Sequence, residues 1–185
     1  RNAPPYYAIP KTRILHHLVT APPVRTSALR TLGALPNVFA LEAMIDDLAI
    51  RAGADPLDYR LSMLSDPRAR AVLKTVAKRA DWSQRGKGGE GQGLGLAFAR
   101  YKNTAAYAAV AVALRVDEQV HLDHIWVVAD GGLVINPDGV GNQLEGGAIQ
   151  GASWTLKEQV TMLGQGVTSL DWDSYPILRF SEIPE

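Results

Sequence analysis

Two polar side chains have surroundings that suggest chemistry: Arg30, in A-L-R-T-L-G, and Gln143, in G-N-Q-L-E-G-G. Each is flanked by glycine and lies near a helix-start signal. A guanidinium brings five donors and no acceptor, and an amide brings both kinds of group. A helix start adds backbone N–H groups with no intrahelical partner. Other arrangements are harder to assemble. Ser27, Ser153 and Ser174 have no nucleophile elbow around them and no histidine in a recognisable relation. His16 and His17 would face opposite sides of a strand, and His121 and His124 have the wrong spacing to share a strand face, so neither pair reads as a metal site. Asp55 and Asp66 read as helix caps; Glu42, Asp46 and Asp47 read as solvated helix positions.

The element that must present Gln143 runs from Asp130 to Gly151. Asn136-Pro137 opens a helix over about 137–160, since Asn caps well and Pro is preorganised for the first helical position. Gly146, Gly147 and Gly151 then fall in its interior. Each costs roughly 0.5–1 kcal/mol against alanine, about 2–3 kcal/mol together. A compensating partner is expected, a backbone or ligand that needs a bare Cα. With Arg30 and Gln143 beside helix N–H groups, an anionic, heteroatom-rich ligand such as a phosphate-bearing pterin fits.

Upstream, residues 1–35 are punctuated by proline, with one candidate strand at Arg13 to Val19. Pro36-Asn37 opens a first helix with Val38, Leu41, Ile45, Leu48 and Ala52 on its apolar face, Asp47 and Arg51 paired on its wet face, and Gly53 as its stop. Asp55-Pro56 and Asp66-Pro67 open helices at about 56–64 and 67–81. Arg70, Lys74 and Lys78 form a solvated stripe on the latter. The glycine-rich connector 84–93 precedes a strand rather than following one, against a dinucleotide fingerprint. Leu94–Tyr101, Ala105–Val116 and Val120–Ala129 read as an antiparallel meander, its middle strand apolar on both faces. After the glycine-rich helix come a turn at Gly164–Gly166 and a short strand near Val167–Trp172. The class is α+β: helices, a β meander and a Gly-rich ligand-facing helix. The expected organisation is a lead-in with three helices over 1–83, the connector 84–93, and the meander, Gly-rich helix and tail over 94–185, intertwined as one domain.

The totals bound the function. At 185 residues, 46% apolar and 21% charged, with 19 basic and 19 acidic groups, the chain is built for a packed core and has no net field to draw nucleic acid. No stretch is apolar enough to span a bilayer. With no cysteine there is no disulfide and no thiolate ligand. The redox compartment is left undetermined. The chain starts at Arg1 without a methionine and reads as a piece of something longer.

Three stretches carry a resemblance. A-L-R-T-L-G-A-L-P-N-V-F-A-L-E-A-M-I-D-D-L-A (28–49) resembles the arginine-containing segment and helix of the molybdenum hydroxylases, the xanthine oxidase and aldehyde oxidase family. V-V-A-D-G-G-L-V-I-N-P-D-G-V-G-N-Q-L-E-G-G-A-I-Q-G (127–151) is similar to that family's pterin-binding helix, and D-S-Y-P-I-L-R-F-S-E-I-P-E (173–185) to the segment leading into its last domain. The likeness lies with the bacterial branch of isoquinoline oxidoreductase and the molybdopterin aldehyde dehydrogenases. It implies a large, molybdopterin-binding subunit, the cytosine dinucleotide form of the cofactor included, with iron–sulfur clusters on a partner subunit or domain. The substrate would be an aldehyde or N-heterocycle, hydroxylated with oxygen from water. Arg30 would lie near the molybdenum and Gln143 would hydrogen-bond the pterin. Leu32 would line the substrate pocket where relatives often carry phenylalanine, weakening the stacking of a flat purine. The catalytic glutamate of the family is expected beyond Glu185, so this chain alone would have no catalytic residue and no turnover. A non-catalytic scaffold of the same fold, having lost the cofactor, is the competing reading. The two readings differ in whether Arg30 and Gln143 face a cavity, and in whether the full-length protein contains molybdenum.

Overall fold

A computed structural model describes residues 2–24, 29–86 and 88–184. Ser27 and Ala28, the latter opening the first resembling stretch, lie outside them. Three helices come first: α1 Ala34–Arg51, α2 Pro56–Ser62 and α3 Pro67–Arg79. The strands β1 Gln92–Arg100, β2 Tyr107–Val116 and β3 Val120–Asp130 follow, then α4 Pro137–Leu156 and a two-rung hairpin, β4 Met162–Leu163 and β5 Gly166–Val167. The architecture is α+β, and the meander is antiparallel in the order β1-β2-β3 with a register shift at Ala113/Leu114.

Caps set the helix starts. The Asp55 carboxylate accepts from the N–H groups of Leu57 and Asp58, and Asp66 accepts from Arg68, each with proline in the first turn. The first helix starts earlier than expected, with Gly33 as its N-cap. Pro36 sits in its first turn, where a missing N–H costs nothing.

The core lies between α3 and the sheet. On α3, Ala69, Val72, Leu73, Val76 and Ala77 form one buried face at helical spacing. Opposite are Leu96 and Phe98 of β1 and Tyr107, Ala109 and Ala111 of β2, each set at the period of two that lines one strand face. The alanines admit α3 close to the backbone. The other face of β2 is only half-buried at Ala108, Val110 and Val112.

Two sequence expectations fail here for identifiable reasons. Residues 13–19 form no strand; they are exposed and pair with no other strand, so they gain no ladder hydrogen bonds. On α1 the buried positions are Ala34, Glu42, Ile45 and Ala49, and Leu48 is 40% exposed. The helix is rotated so that Glu42, expected in solvent, points inward at 5% exposure. It enters because donors on three other segments await it. Its carboxylate accepts from the Tyr7 hydroxyl at 2.8 Å, Arg60 Nε at 2.9 Å and the Phe98 backbone N–H at 2.9 Å. Arg60, fully buried, also donates to the Glu42 backbone carbonyl and to Asp46 Oδ1 at 2.6 Å. Burial pushes the Glu42 carboxyl above its ordinary range, with Arg60 and the other donors opposing that shift.

Asp47 and Arg51 do pair, at 2.9 Å. Arg70 leaves the expected solvated stripe and donates to the Leu61 and Leu64 carbonyls, closing the end of α2. In the connector, Gly91 is required to be glycine, with φ of +76° and the Val116 carbonyl where a Cβ would stand. Residues 168–172 form no strand; the chain turns at 172–174 and then forms a 3-10 turn at Phe180–Glu182.

Candidate functional site

Helix α4 leaves the sheet through a clamp. Arg68, in the first turn of α3, donates from Nε and Nη2 to the two carboxylate oxygens of Asp130 at 2.8 and 2.6 Å. Asp130 also accepts from Gly132 N, whose φ of +81° turns the chain outward. These donors, Arg68 first, hold the Asp130 carboxyl down to about 2. Asn136 then starts the helix, its side-chain oxygen accepting from Gly139 N at 3.0 Å. The helix ends at Leu156, a turn earlier than its sequence suggests.

One side of α4 packs on β3, with Leu144, Ala148 and Ile149 facing a cavity of about 490 Å³ bounded by Ile125 and Val127. The opposite side carries Gln143, Gly146, Gly147 and Gln150, spaced to share one face. The Gln143 side chain is exposed and makes no hydrogen bond among the described residues; neither it nor Arg30 lines the cavity under α4 or the one between α1 and β1. Gly141 lies on the inner side, lining the cavity against β3, whereas an added Cβ at Gly146, Gly147 or Gly151 would meet nothing within 4 Å. The expected close neighbour of these glycines is therefore absent from the described chain. Their face is a strip of open backbone. Arg30 reaches it from a distant part of the chain: Nη1 donates to Gln150 Oε1 at 2.6 Å.

Arg30 sits on a turn in which Thr31 and Leu32 both adopt left-handed conformations, φ +70° and +55°. For residues with a Cβ this costs about 1 kcal/mol or more each. The Thr31 hydroxyl is buried and has no hydrogen-bond partner. Leu32 is 45% exposed beside Arg30 and closes no pocket by itself. Behind the turn, Thr31, Leu35, Val38 and Leu96 line an apolar cavity of about 520 Å³ between α1 and β1.

The remaining polar candidates are structural. The Ser153 hydroxyl donates to Glu158 and accepts from Leu178 N, fastening the tail to α4. Ser174 closes a local turn on Asp171. Asp66 caps α3 and accepts from the Tyr6 and Tyr107 hydroxyls at 2.6 and 2.7 Å, which hold its carboxyl down to about 2. Among the described residues no cluster of histidine, aspartate or glutamate could hold a metal ion, so a metal here would have to bring its own ligands. No helix among them is long and apolar enough to cross a membrane.

The site thus joins Arg30 to the glycine face that bears Gln143, two segments the sequence alone singles out separately. Gln150 escapes sequence reasoning. Its one signal is the spacing of seven from Gln143, which returns to the same helix face.

Known proteins resemble this chain along nearly its whole length. Residues 40–184 match the family described as molybdopterin cofactor-binding domain. The chain is 39% identical to a nicotinate dehydrogenase subunit of Pseudomonas putida, over all of this chain and 17% of that protein. It is 36% identical to the beta subunit of isoquinoline 1-oxidoreductase of Brevundimonas diminuta, over 97% of this chain and 23% of that protein. It is 22% identical to a membrane-bound aldehyde dehydrogenase (pyrroloquinoline-quinone) of Gluconacetobacter polyoxogenes, over 95% of this chain and 25% of that protein. The chain therefore spans a quarter or less of the length of these relatives.

Proposed function

The chain belongs to the molybdopterin cofactor-binding domain family, and from that premise we propose that it is part of the large subunit of a molybdenum hydroxylase. The observation that carries this reading is the outward face of α4, where unpartnered Gln143 stands beside glycines whose Cβ positions are open. A flat, heteroatom-rich ring can lie on bare backbone only where side chains do not lift it away. Gln143 would donate and accept at the ring edge, and Arg30 would supply positive charge at the far end of the strip. The residues present fit the cofactor: the Gln143 amide offers both a donor and an acceptor, and the glycines leave the helix backbone bare beside it.

When bound, that group supplies the two-electron oxidising centre. This chain's share is binding and orientation. Gln143 would hold the ring edge, the glycines would leave room for it against the helix, and the exposed Leu32 beside Arg30 would contribute an aliphatic wall on the substrate side. An aldehyde or an N-heterocycle, oxidised with oxygen from water, is the substrate class proposed, and iron–sulfur clusters on a partner subunit or domain would receive the electrons. Nicotinate and isoquinoline, named in two relatives, are both N-heterocycles and support that class. The general base is assigned to a glutamate beyond residue 185. Elemental analysis of the full-length protein expressed with its partner subunits tests the reading: one molybdenum per protomer is expected, and a well-folded protein without molybdenum overturns it.

A further inference from the structure

Arg30 differs from six other arginines of this chain in what holds its side chain. Arg51, Arg60, Arg68, Arg85, Arg100 and Arg115 each face a carboxylate within ion-pair distance. Arg30 is held by the neutral amide of Gln150, across 120 residues of sequence. A guanidinium has no acceptor, so the atom facing it must be the amide oxygen. An amide oxygen fixes the position of the guanidinium without cancelling its charge. Four of the five N–H groups of Arg30 find no partner among the described residues.

The backbone around Arg30 points the same way. Thr31 and Leu32 hold left-handed conformations in succession, and the Thr31 hydroxyl is buried without a partner. A turn selected for stability alone would place glycine or asparagine at such positions. Strain of this kind is tolerated where a side chain must be held in one place.

We propose that Gln150 is a positioning residue that presents the Arg30 guanidinium, with its charge uncompensated, to an oxyanion lying along the glycine face of α4. Two sources share that chemistry: a phosphate of the pterin cofactor and a carboxylate on the substrate. The inference rests on α4 being the cofactor face, and it adds what Gln150 and the charge of Arg30 are for. Gln143 and Gln150 stand about 10 Å apart along the helix axis. That spacing lets Gln143 contact a ring system while Arg30 receives an anionic group at its edge.

The discriminating variant is Gln150→Glu in the full-length protein with its partner subunits. It keeps the shape and the hydrogen bond to Arg30 but adds a negative charge. If Gln150 were merely structural, the new ion pair would leave the unfolding midpoint unchanged or raise it and alter nothing else. The proposal expects that same intact midpoint together with a loss of oxyanion binding of about tenfold. Molybdenum and pterin-bound phosphate per protomer read the cofactor source. Equilibrium binding of pyridine-3-carboxylate against the uncharged pyridine-3-carboxamide reads the substrate source, and only the carboxylate should weaken. Whichever arm responds, the effect should vanish in an Arg30→Ala background, because Gln150 acts through Arg30. Wild-type behaviour of Gln150→Glu in both arms overturns the proposal, as does an effect that persists undiminished without Arg30. Absence of molybdenum from the wild type itself is a separate failure, that of α4 as the cofactor face, and leaves the carboxylate arm to decide the role of Gln150.

Discussion

The Glu42 carboxylate accepts the backbone N–H of Phe98 at 2.9 Å, so a side chain of α1 terminates part of the free edge of β1. An edge strand exposes unpaired donors that invite further pairing. Here one of them is closed by a charge that is itself buried and held by Arg60 and Tyr7.

Removing that carboxylate leaves Arg60 short of a partner and orphans the Tyr7 hydroxyl and the Phe98 N–H. Glu42→Ala is expected to destabilise by about 3–5 kcal/mol, the range for breaking a buried ion pair from one side. Hydrogen exchange gives the local readout: the Phe98 amide should lose protection ahead of its neighbours in β1. Retained protection at Phe98 would show that the carboxylate is dispensable to the sheet edge.

Gln143→Ala in the full-length protein should lower molybdenum occupancy several-fold while leaving the unfolding midpoint within a degree or so, since exposed substitutions cost little, about 0.5 kcal/mol or less. Unchanged molybdenum content would return Gln143 to an ordinary surface role.

The glycine face gives a test with opposite signs. Gly146→Ala and Gly147→Ala meet no atom within 4 Å in this chain, so each should stabilise α4 by roughly 0.5–1 kcal/mol. If that face carries a cofactor, the same substitutions lower molybdenum content. A variant that is more stable and fully loaded would separate the glycines from cofactor binding.

Two carboxyls make stability depend on acid. Asp66, beside Tyr6 and Tyr107, and Asp130, beside Arg68, are both held down to about 2. An unfolded aspartate titrates near about 3.9. A depressed native value stabilises above the unfolded pKa and is lost as pH falls through the native one. The unfolding midpoint should therefore fall between about pH 4 and 2, and the double variant Asp66→Asn, Asp130→Asn should show a flatter slope in that window. An equal slope would place the acid sensitivity elsewhere.

The purified 185-residue chain alone, supplied with aldehyde and an artificial electron acceptor, is expected to show no turnover. Measurable oxidation would place a catalytic base within these residues.

Local signals were legible where they were self-contained. Asn136-Pro137, Asp55-Pro56 and Asp66-Pro67 each marked a helix start, and three successive strand-like runs over 94–101, 105–116 and 120–129 marked the meander. Features that depend on distant partners were not. Glu42 looked solvated because nothing in its own helix announces Arg60, Tyr7 and the edge of β1. The segment at Arg13–Val19 has strand-like composition but no strand beside it. Gln150 carried a weak periodic signal, and only its meeting with Arg30 gives it meaning.

The Arg68–Asp130 clamp has a mechanical consequence. It fixes the point from which α4 departs, and together with the packing of the inner side of α4 on β3 it sets the helix direction, so that any tilt at the end of β3 is carried along the helix as along a lever. At about 1.5 Å per residue, Gln150 lies roughly 20 Å along that lever, and a tilt of about 5° would displace it by nearly 2 Å. That is enough to part Gln150 from Arg30. The alignment of the glycine face thus depends in part on an ion pair that touches none of it.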